Sequence, residues 1–480
     1  MLKDSLILTF SKGIRGVLML IFNMIIARLF TESLYGTYKQ VNLIINLATS
    51  ICVVGIPTTI SYFYVSSDKK DKERLIGNTI VVLGAIAVVS SLAIIIFREK
   101  LAVLLNNPDI LNYISLLALQ IFVMIISSFL ENLYISSNST VMLGKIYIIY
   151  TITNFLALGY VTIKIRNLHS LLFVMIVIEL LRTIVMYCII RSRESLKFKT
   201  QYKLLSKQIK FAIPLGVVAL VQNLNMYIDN LFISNKFTPE QYAAYANAAT
   251  DIPLVGIITI SIASVVLPRM SKSYAENKNS NEVLSIWGDS CEKTALIMFP
   301  IFWIALLFAR EYIELIFSYK YVESSTPIFV IYLMKFPLYF TVFGNILIVI
   351  KQQKYVMVNS IIGIVLNIIL NIIFLKVFGI IGPAISTVIV QYFVVLLQLL
   401  KISNGFKVKL KEVLPYKKLA KIFLLPATIA IPIYLISSII KTSPILKFII
   451  FGGVIYLVSI LVFIKIGYIK KEDLNFIKKS

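Results

Sequence analysis

Asn46-Leu-Ala-Thr-Ser-Ile-Cys-Val-Val-Gly-Ile56 and Asn247-Ala-Ala-Thr-Asp-Ile-Pro-Leu-Val-Gly-Ile257 lie about two hundred residues apart and agree at seven of eleven positions. Upstream, Asn23-Met-Ile-Ile-Ala-Arg-Leu-Phe30 reads against Asn225-Met-Tyr-Ile-Asp-Asn-Leu-Phe232 at nearly the same offset. One such match is cheap in an apolar sequence, whose effective alphabet is small. Two in register, each with an Asn, point to a duplicated membrane unit, an arrangement common among transporters.

Composition says what kind of unit is duplicated. The 480 residues are 59% hydrophobic with a mean hydropathy of +0.88, against roughly 45–50% apolar content in soluble domains. Apolar runs recur near the ~20 residues that cross a ~30 Å hydrocarbon core as a helix. The short alternating segments of a β-barrel are absent. The expected fold is therefore all-α: an integral membrane protein of about 14 transmembrane helices, near 5–30, 37–65, 75–97, 111–136, 143–163, 168–190, 207–234, 243–268, 290–309, 326–350, 355–375, 380–400, 420–440 and 447–466. Residues 1–195 and 196–405 would each form a six-helix lobe, and 406–480 would add two helices and a basic tail. Six is even, so the two repeats start on the same side and are parallel, with a cavity between lobes as the usual consequence.

The net charge of +24 is distributed for a bilayer and not for nucleic acid. With a cytoplasmic N-terminus, cytoplasmic segments hold about a threefold excess of Lys and Arg, the positive-inside pattern. The richest are 191–210, 401–421 and the tail after Lys465, placed to meet anionic membrane lipids. A multi-pass protein of the cytoplasmic membrane with both termini cytoplasmic follows. The first apolar segment carries Lys12 and Arg15 and no small-residue cleavage site, so it is expected to be retained. Cys52, Cys188, Cys291 and the single His169 have no metal-ligand spacing, and no cofactor is expected. No phosphate-binding glycine loop or nucleophile–base arrangement stands out, and the outer loops are short, so catalysis finds no support. Pro57, Pro214, Pro253, Pro300 and Pro337 fall in or at the ends of spans and mark candidate bends.

Charges inside a membrane are costly, about 2.5–3.5 kcal/mol on insertion scales, so each asks for a cavity or a partner. Lys12 and Arg15 share a broad polar face of the first helix with Thr9, Gly16 and Asn23. That face reads either as a cationic wall for a phosphate or as side chains snorkelling to headgroups. Gln222, Asn225 and Asp229 form one stripe on the seventh helix; Asn247, Thr250 and Asp251 follow on the eighth; Asn42, Asn46 and Thr49 match them on the second. Such stripes suit a hydrated cavity, although interhelical hydrogen bonding would account for single Asn or Thr residues. Asp229 and Asp251 would need a cation: Lys335, or a transported H⁺ or Na⁺. Glu179 and Arg182 can pair with each other. Glu131 reads as simply solvated, Arg28 and Lys39 as reaching headgroups, and 269–293, with Trp287, as an interfacial helix.

Several local motifs carry a resemblance. Ala27-Arg-Leu-Phe-Thr-Glu-Ser-Leu-Tyr-Gly-Thr-Tyr38 and Gly55-Ile-Pro-Thr-Thr-Ile-Ser61 resemble the first two helices of polysaccharide (O-antigen type) flippases, relatives of the lipid II flippases and the multidrug and toxic compound extrusion transporters. Leu267-Pro-Arg-Met-Ser271, with Pro300 beyond it, is similar to the second half of that family. Phe317-Ser-Tyr-Lys-Tyr321 resembles its Phe-Gly-x-x-Tyr turn. Leu366-Asn-Ile-Ile-Leu-Asn371 and Phe378-Gly-Ile-Ile-Gly-Pro-Ala384 resemble its Leu-Asn-x-x-x-Asn and Gly-x-x-Gly-Ala pair, with Pro383 where Ala is usual. The resemblance implies a flippase for a polyprenyl-pyrophosphate-linked oligosaccharide in cell-surface polysaccharide biosynthesis, working beside other polysaccharide-assembly membrane proteins. Arg15, Lys12, Asn23, Asn46, Gln222, Asn225, Asn247 and Lys335 would meet the substrate, and Asp229 and Asp251 the coupling ion. A lipid II flippase and a cation-coupled drug antiporter stay open as alternatives.

Overall fold

A computed structural model describes residues 2–53, 55–194, 199–277, 280–340 and 343–469. Every regular element among them is helical. Packing groups the chain into two units, 1–246 and 247–480.

In the first unit, α1 (Leu2–Leu29) lies along α8 (Thr140–Tyr160). Between them in sequence come α2 (Glu32–Cys52), α3 (Ile56–Ser66), α4 (Lys69–Ile96), α5 (Arg98–Leu104), α6 (Ile114–Ser127) and α7 (Leu130–Ser136). Then follow α9 (Leu168–Glu194), α10 (Tyr202–Lys236) and α11 (Pro239–Ala248). The second unit holds α12 (Pro253–Asn277), α13 (Ser280–Leu307), α14 (Ala309–Ile316), α15 (Val322–Leu333) and α16 (Phe343–Val349). It ends with α17 (Gln353–Phe378), α18 (Gly382–Phe406), α19 (Tyr416–Ile439) and α20 (Pro444–Lys465). Nine helical stretches among the described residues are long and apolar enough to cross a membrane, ten if α2 and α3 form one broken span. This is a multi-pass membrane protein. Its outward side chains fit that solvent: Val81, Val88, Leu92 and Ile96 on α4, and Ile449, Leu457 and Leu461 on α20, are exposed.

With apolar residues facing lipid, the interior is organised by polar pairs, since an unpaired polar group costs far more in this solvent than in water. Gln208 near the start of α10 is buried and donates to Thr59 (2.9 Å) and Thr79 (2.7 Å). Asn78 and the Gln201 backbone exchange hydrogen bonds beside it. At the other end, Gln40 donates to Ser234 (2.9 Å) and to the Leu105 carbonyl (2.7 Å), while Asn107 donates to Thr37 and Gln40. These two clusters pin both ends of α10 to α2–α5. Hence α10 packs with the helices that precede it, although the basic linker before it is where the sequence reading places the boundary between lobes.

Helix breaks fall where the sequence matches itself. Gly55 separates α2 from α3 at φ 70°, and a Cβ there would sit 2.6 Å from the Ala212 carbonyl oxygen, so glycine serves both conformation and close approach. In the matching stretch, α11 ends at Ala248 and α12 starts at Pro253, leaving Asp251 between them. The prolines divide accordingly. Pro57, Pro253 and Pro337 stand at breaks, whereas Pro214 and Pro300 lie inside continuous α10 and α13. The span expected over 326–350 is discontinuous, running α15, a 3₁₀ turn at Phe336–Phe340, then α16.

Two motif readings gain a physical basis. Asn371 donates to Asn367 (3.1 Å), which donates to Thr387 (3.1 Å), so the Leu-Asn-x-x-x-Asn spacing builds a buried polar ladder joining α17 to α18. Pro383 sits in the first turn of α18, where a missing N–H costs nothing. One expectation fails. Residues 269–277 continue α12 and 280–293 open α13, and Trp287 is buried, so among the described residues no separate interfacial helix occupies 269–293. The amphipathic pattern there comes from one side of each helix packing into protein.

Candidate functional site

The first unit encloses a cavity of about 390 Å³, within the range of small-molecule sites. α1 contributes Arg15, Leu18, Met19 and Phe22, which is one helical face. α2 contributes Tyr38, Asn42, Ile45, Asn46 and Thr49, which is the stripe legible in the sequence. Gln120, Ser127 and Ser128 come from the α6 region, and Tyr147, Tyr150, Thr151 and Asn154 from α8. Glu131 on α7 and Glu179 and Arg182 on α9 complete the charged wall.

Those charges are mostly committed to one another. Lys12 Nζ and Glu131 Oε1 are 2.6 Å apart, and the Tyr147 hydroxyl donates to the other carboxylate oxygen at 2.6 Å. Arg182 pairs with Glu179 and also lies over the Tyr150 ring, 4.9 Å from its centre. Glu179 further accepts from Tyr150 (2.8 Å) and Ser127 (3.4 Å). Arg15 differs: it forms no hydrogen bond or ion pair with any described residue, its contact with Glu131 being through space alone. Two buried oxygens in the lining, Gln120 Oε1 and Thr151 Oγ1, also lack a hydrogen-bond partner among the described residues. The cavity therefore offers one uncommitted guanidinium, unused acceptors and several amides and phenols. That set suits a polar solute carrying negative charge.

In the second unit, Lys335 occupies the turn between α15 and the 3₁₀ segment, and Asp251 the break before α12. Their charged atoms are 3.2 Å apart, and Tyr339 donates to the same carboxylate at 3.2 Å. The lysine lies over the Tyr332 ring at 4.8 Å. Charged groups at non-helical backbone inside a membrane protein are tolerated where protein surrounds them or they line a hydrated cavity; here Lys335 is the buried member of the pair and Asp251 the exposed one.

A sequence model of the family described as "Polysaccharide biosynthesis protein" matches residues 25–326. The chain belongs to this family. Its fold is shared with the solved structure of the lipid II flippase MurJ in an inward closed conformation, at TM-score 0.78 and 18% identity over 96% of this chain and 99% of that one. An inward-facing MATE family multidrug resistance transporter of the MOP superfamily follows at TM-score 0.62 and 13% identity, covering 82% and 96%. A MOP superfamily transporter from Pyrococcus furiosus, described as having a binding pocket of reverse polarity, gives 0.58 and 14% identity over 85% and 95%. No curated protein sequence matches the chain. At these identities the structures show a fold.

Within this member of the polysaccharide biosynthesis family, the residues singled out from sequence separate. Arg15 and Asn46 line the cavity, and Lys12 joins its edge through Glu131. Asn23 is half-buried and does not line the cavity. Asp229 is buried on α10 and does not line the cavity. Gln222 and Asn225 fall on α10, and their side chains lie outside the described residues. Asn247 is buried in the last turn of α11, and Lys335 meets Asp251. Glu131 is not simply solvated; it is an ion-pair partner. Arg28 donates to the Met24 carbonyl of its own helix, and Lys39 lies 5.2 Å from the centre of the Tyr35 ring. The sequence reading missed Tyr147, Tyr150, Thr151 and Asn154. Their spacing over two turns of α8 was the available signal, masked because tyrosine is grouped with the hydrophobic residues in composition.

Proposed function

We propose that this protein is a flippase that carries a polyprenyl-pyrophosphate-linked oligosaccharide across the cytoplasmic membrane, by alternating access, for cell-surface polysaccharide biosynthesis. The observation that carries the reading is Arg15, an arginine with no ion pair or hydrogen bond to a described residue, in a cavity that also presents amides, hydroxyls, tyrosines and the Glu179–Arg182 and Glu131–Lys12 pairs. A guanidinium grips phosphate oxygens in bidentate fashion. Gln120, Thr151, Asn46 and Asn154 offer hydrogen bonds to sugar hydroxyls, and aromatic rings offer apolar faces to pyranose rings. The polyprenyl tail would remain in lipid. Lipid II shares the pyrophosphate and polyprenyl chemistry and fits the same site, so it stands as the second reading. A drug antiporter is disfavoured, since Lys12 and Arg182 are balanced by Glu131 and Glu179 and the remaining charge an organic cation would meet is that of Arg15.

The reading includes cytoplasmic termini, contacts between the basic loops and anionic lipids, and H⁺ or Na⁺ coupling through Asp229 or Asp251. Cells depleted of the protein should accumulate a polyprenyl-pyrophosphate glycan on the cytoplasmic face and lose a surface glycan, and Arg15→Ala should fail to restore it at normal abundance. Normal surface glycan with heightened sensitivity to cationic drugs would overturn the assignment.

A further inference from the structure

The cavity contains its own anion. We infer that the Lys12–Glu131 pair is an internal stand-in for the substrate: Glu131 holds Lys12 in the empty site, and an entering pyrophosphate takes Lys12 from it. This rests on the flippase reading and gives Glu131 a role in binding and release.

Three observations lead there. Lys12 and Arg15 are three residues apart on α1 and share a face, so an anion gripping Arg15 comes within reach of a lysine side chain. Lys12 is half exposed, at 52% of its side chain, and its long stem is free to turn. Glu131 is held from the other side by Tyr147, which is buried on α8, so the carboxylate keeps a hydrogen bond after Lys12 leaves. The cost of losing Lys12 is thereby reduced on the acceptor side. The second pair is built differently. Arg182 and Glu179 are both nearly buried, at 12% and 8%, and are cross-linked through Ser127 and Tyr150, which makes them a fixed part of the wall.

Charge explains why an exchange is needed. Arg15 alone supplies one uncommitted positive charge, whereas a pyrophosphate diester carries two negative ones. Recruiting Lys12 balances them. When the substrate departs, Glu131 recovers Lys12, and this competition keeps the site from holding its cargo too tightly. The groups facing Glu131 are Lys12 and Arg15 from α1 and Tyr147 from α8.

The test uses the full-length protein in detergent and geranyl pyrophosphate as the probe, with geraniol beside it. Glu131→Gln keeps size and the Tyr147 hydrogen bond while releasing Lys12. It should tighten geranyl pyrophosphate binding by about tenfold, the order expected for one freed charge near a pyrophosphate monoester, which carries more negative charge than the diester it stands for. In a Lys12→Met background the same substitution should give a clearly smaller gain, because no lysine remains to release and only Glu131's repulsion of the anion and its through-space hold on Arg15 are removed. Geraniol binding should not change in any variant. Equal tightening with and without Lys12 would mean simple removal of a repulsive charge, and would overturn the exchange. So would unchanged affinity in Glu131→Gln, or equal tightening for geraniol. Failure of the wild-type protein to bind geranyl pyrophosphate would overturn the flippase reading together with this one, whereas wild-type binding without the Glu131 effect would overturn the exchange alone.

Discussion

Asp251→Asn and Lys335→Met break the same ion pair and should destabilise the protein by different amounts. The lysine side chain is only 15% exposed, the aspartate 59%. Removing the carboxylate leaves an ammonium largely buried, with Tyr339 and the Tyr332 ring as its remaining company. Breaking a fully buried pair costs ~3–5 kcal/mol, but the exposed half of this one is already screened by solvent, so about 1–2 kcal/mol is the appropriate figure. Removing the lysine instead leaves a largely exposed carboxylate that still accepts from Tyr339. That change should cost under ~0.5 kcal/mol. The double variant should resemble Lys335→Met, because the buried charge that made Asp251→Asn harmful is gone. Thermal unfolding of purified protein in detergent, followed by tryptophan fluorescence, gives the order directly. Lys335→Met as damaging as Asp251→Asn, or a double variant less stable than both, would refute the reasoning.

Three further outcomes follow from local features. Ser318 stands where the related motif has Gly, at φ 121° and ψ 158°, a region that costs a residue with a side chain of order 1–3 kcal/mol; Ser318→Gly should therefore raise the unfolding temperature and Ser318→Ala should not. Single cysteines at Ser195 and Asn277 should resist an impermeant thiol reagent in intact cells while one at Ser324 reacts, and the reverse pattern would invert the orientation. Asp229→Asn and Asp251→Asn keep size while removing a titratable charge; one of them should abolish the dependence of transport on an H⁺ or Na⁺ gradient, and persistence of that dependence in both would remove them from coupling.

What could be read in the sequence depended on whether a residue's polarity was unambiguous. Asn42, Asn46 and Thr49 were visible as a polar stripe and do line the cavity, and Arg15 stood out because a charge in an apolar run demands an explanation. Lys335 as a partner for Asp251 was legible for the same reason. Tyr147 and Tyr150 were not, because a phenol contributes one polar atom to a large apolar body. Glu131 was misread because its partner, Lys12, is 119 positions away, and single-sequence periodicity carries no information at that distance. The break at Lys335 had a signal in Pro337, but proline is tolerated inside α10 and α13 as well, so its presence alone does not separate a kinked span from a broken one. Helix existence followed from hydropathy. The packing of α10 with the first six spans did not, since it rests on Gln208, Gln40 and Asn107 meeting partners far along the chain.

Translocation itself is the most direct test of the flippase account. The purified protein would be reconstituted into vesicles holding a fluorescent polyprenyl-pyrophosphate oligosaccharide, and the fraction of label reaching the opposite leaflet measured with a membrane-impermeant quencher. The account predicts movement by the wild-type protein, loss with Arg15→Ala, partial recovery with Arg15→Lys because a point charge lacks the guanidinium fork, and no transport of an organic cation. Wild-type rates in Arg15→Ala at equal reconstitution, or transport of the cation and not the lipid-linked glycan, would contradict it.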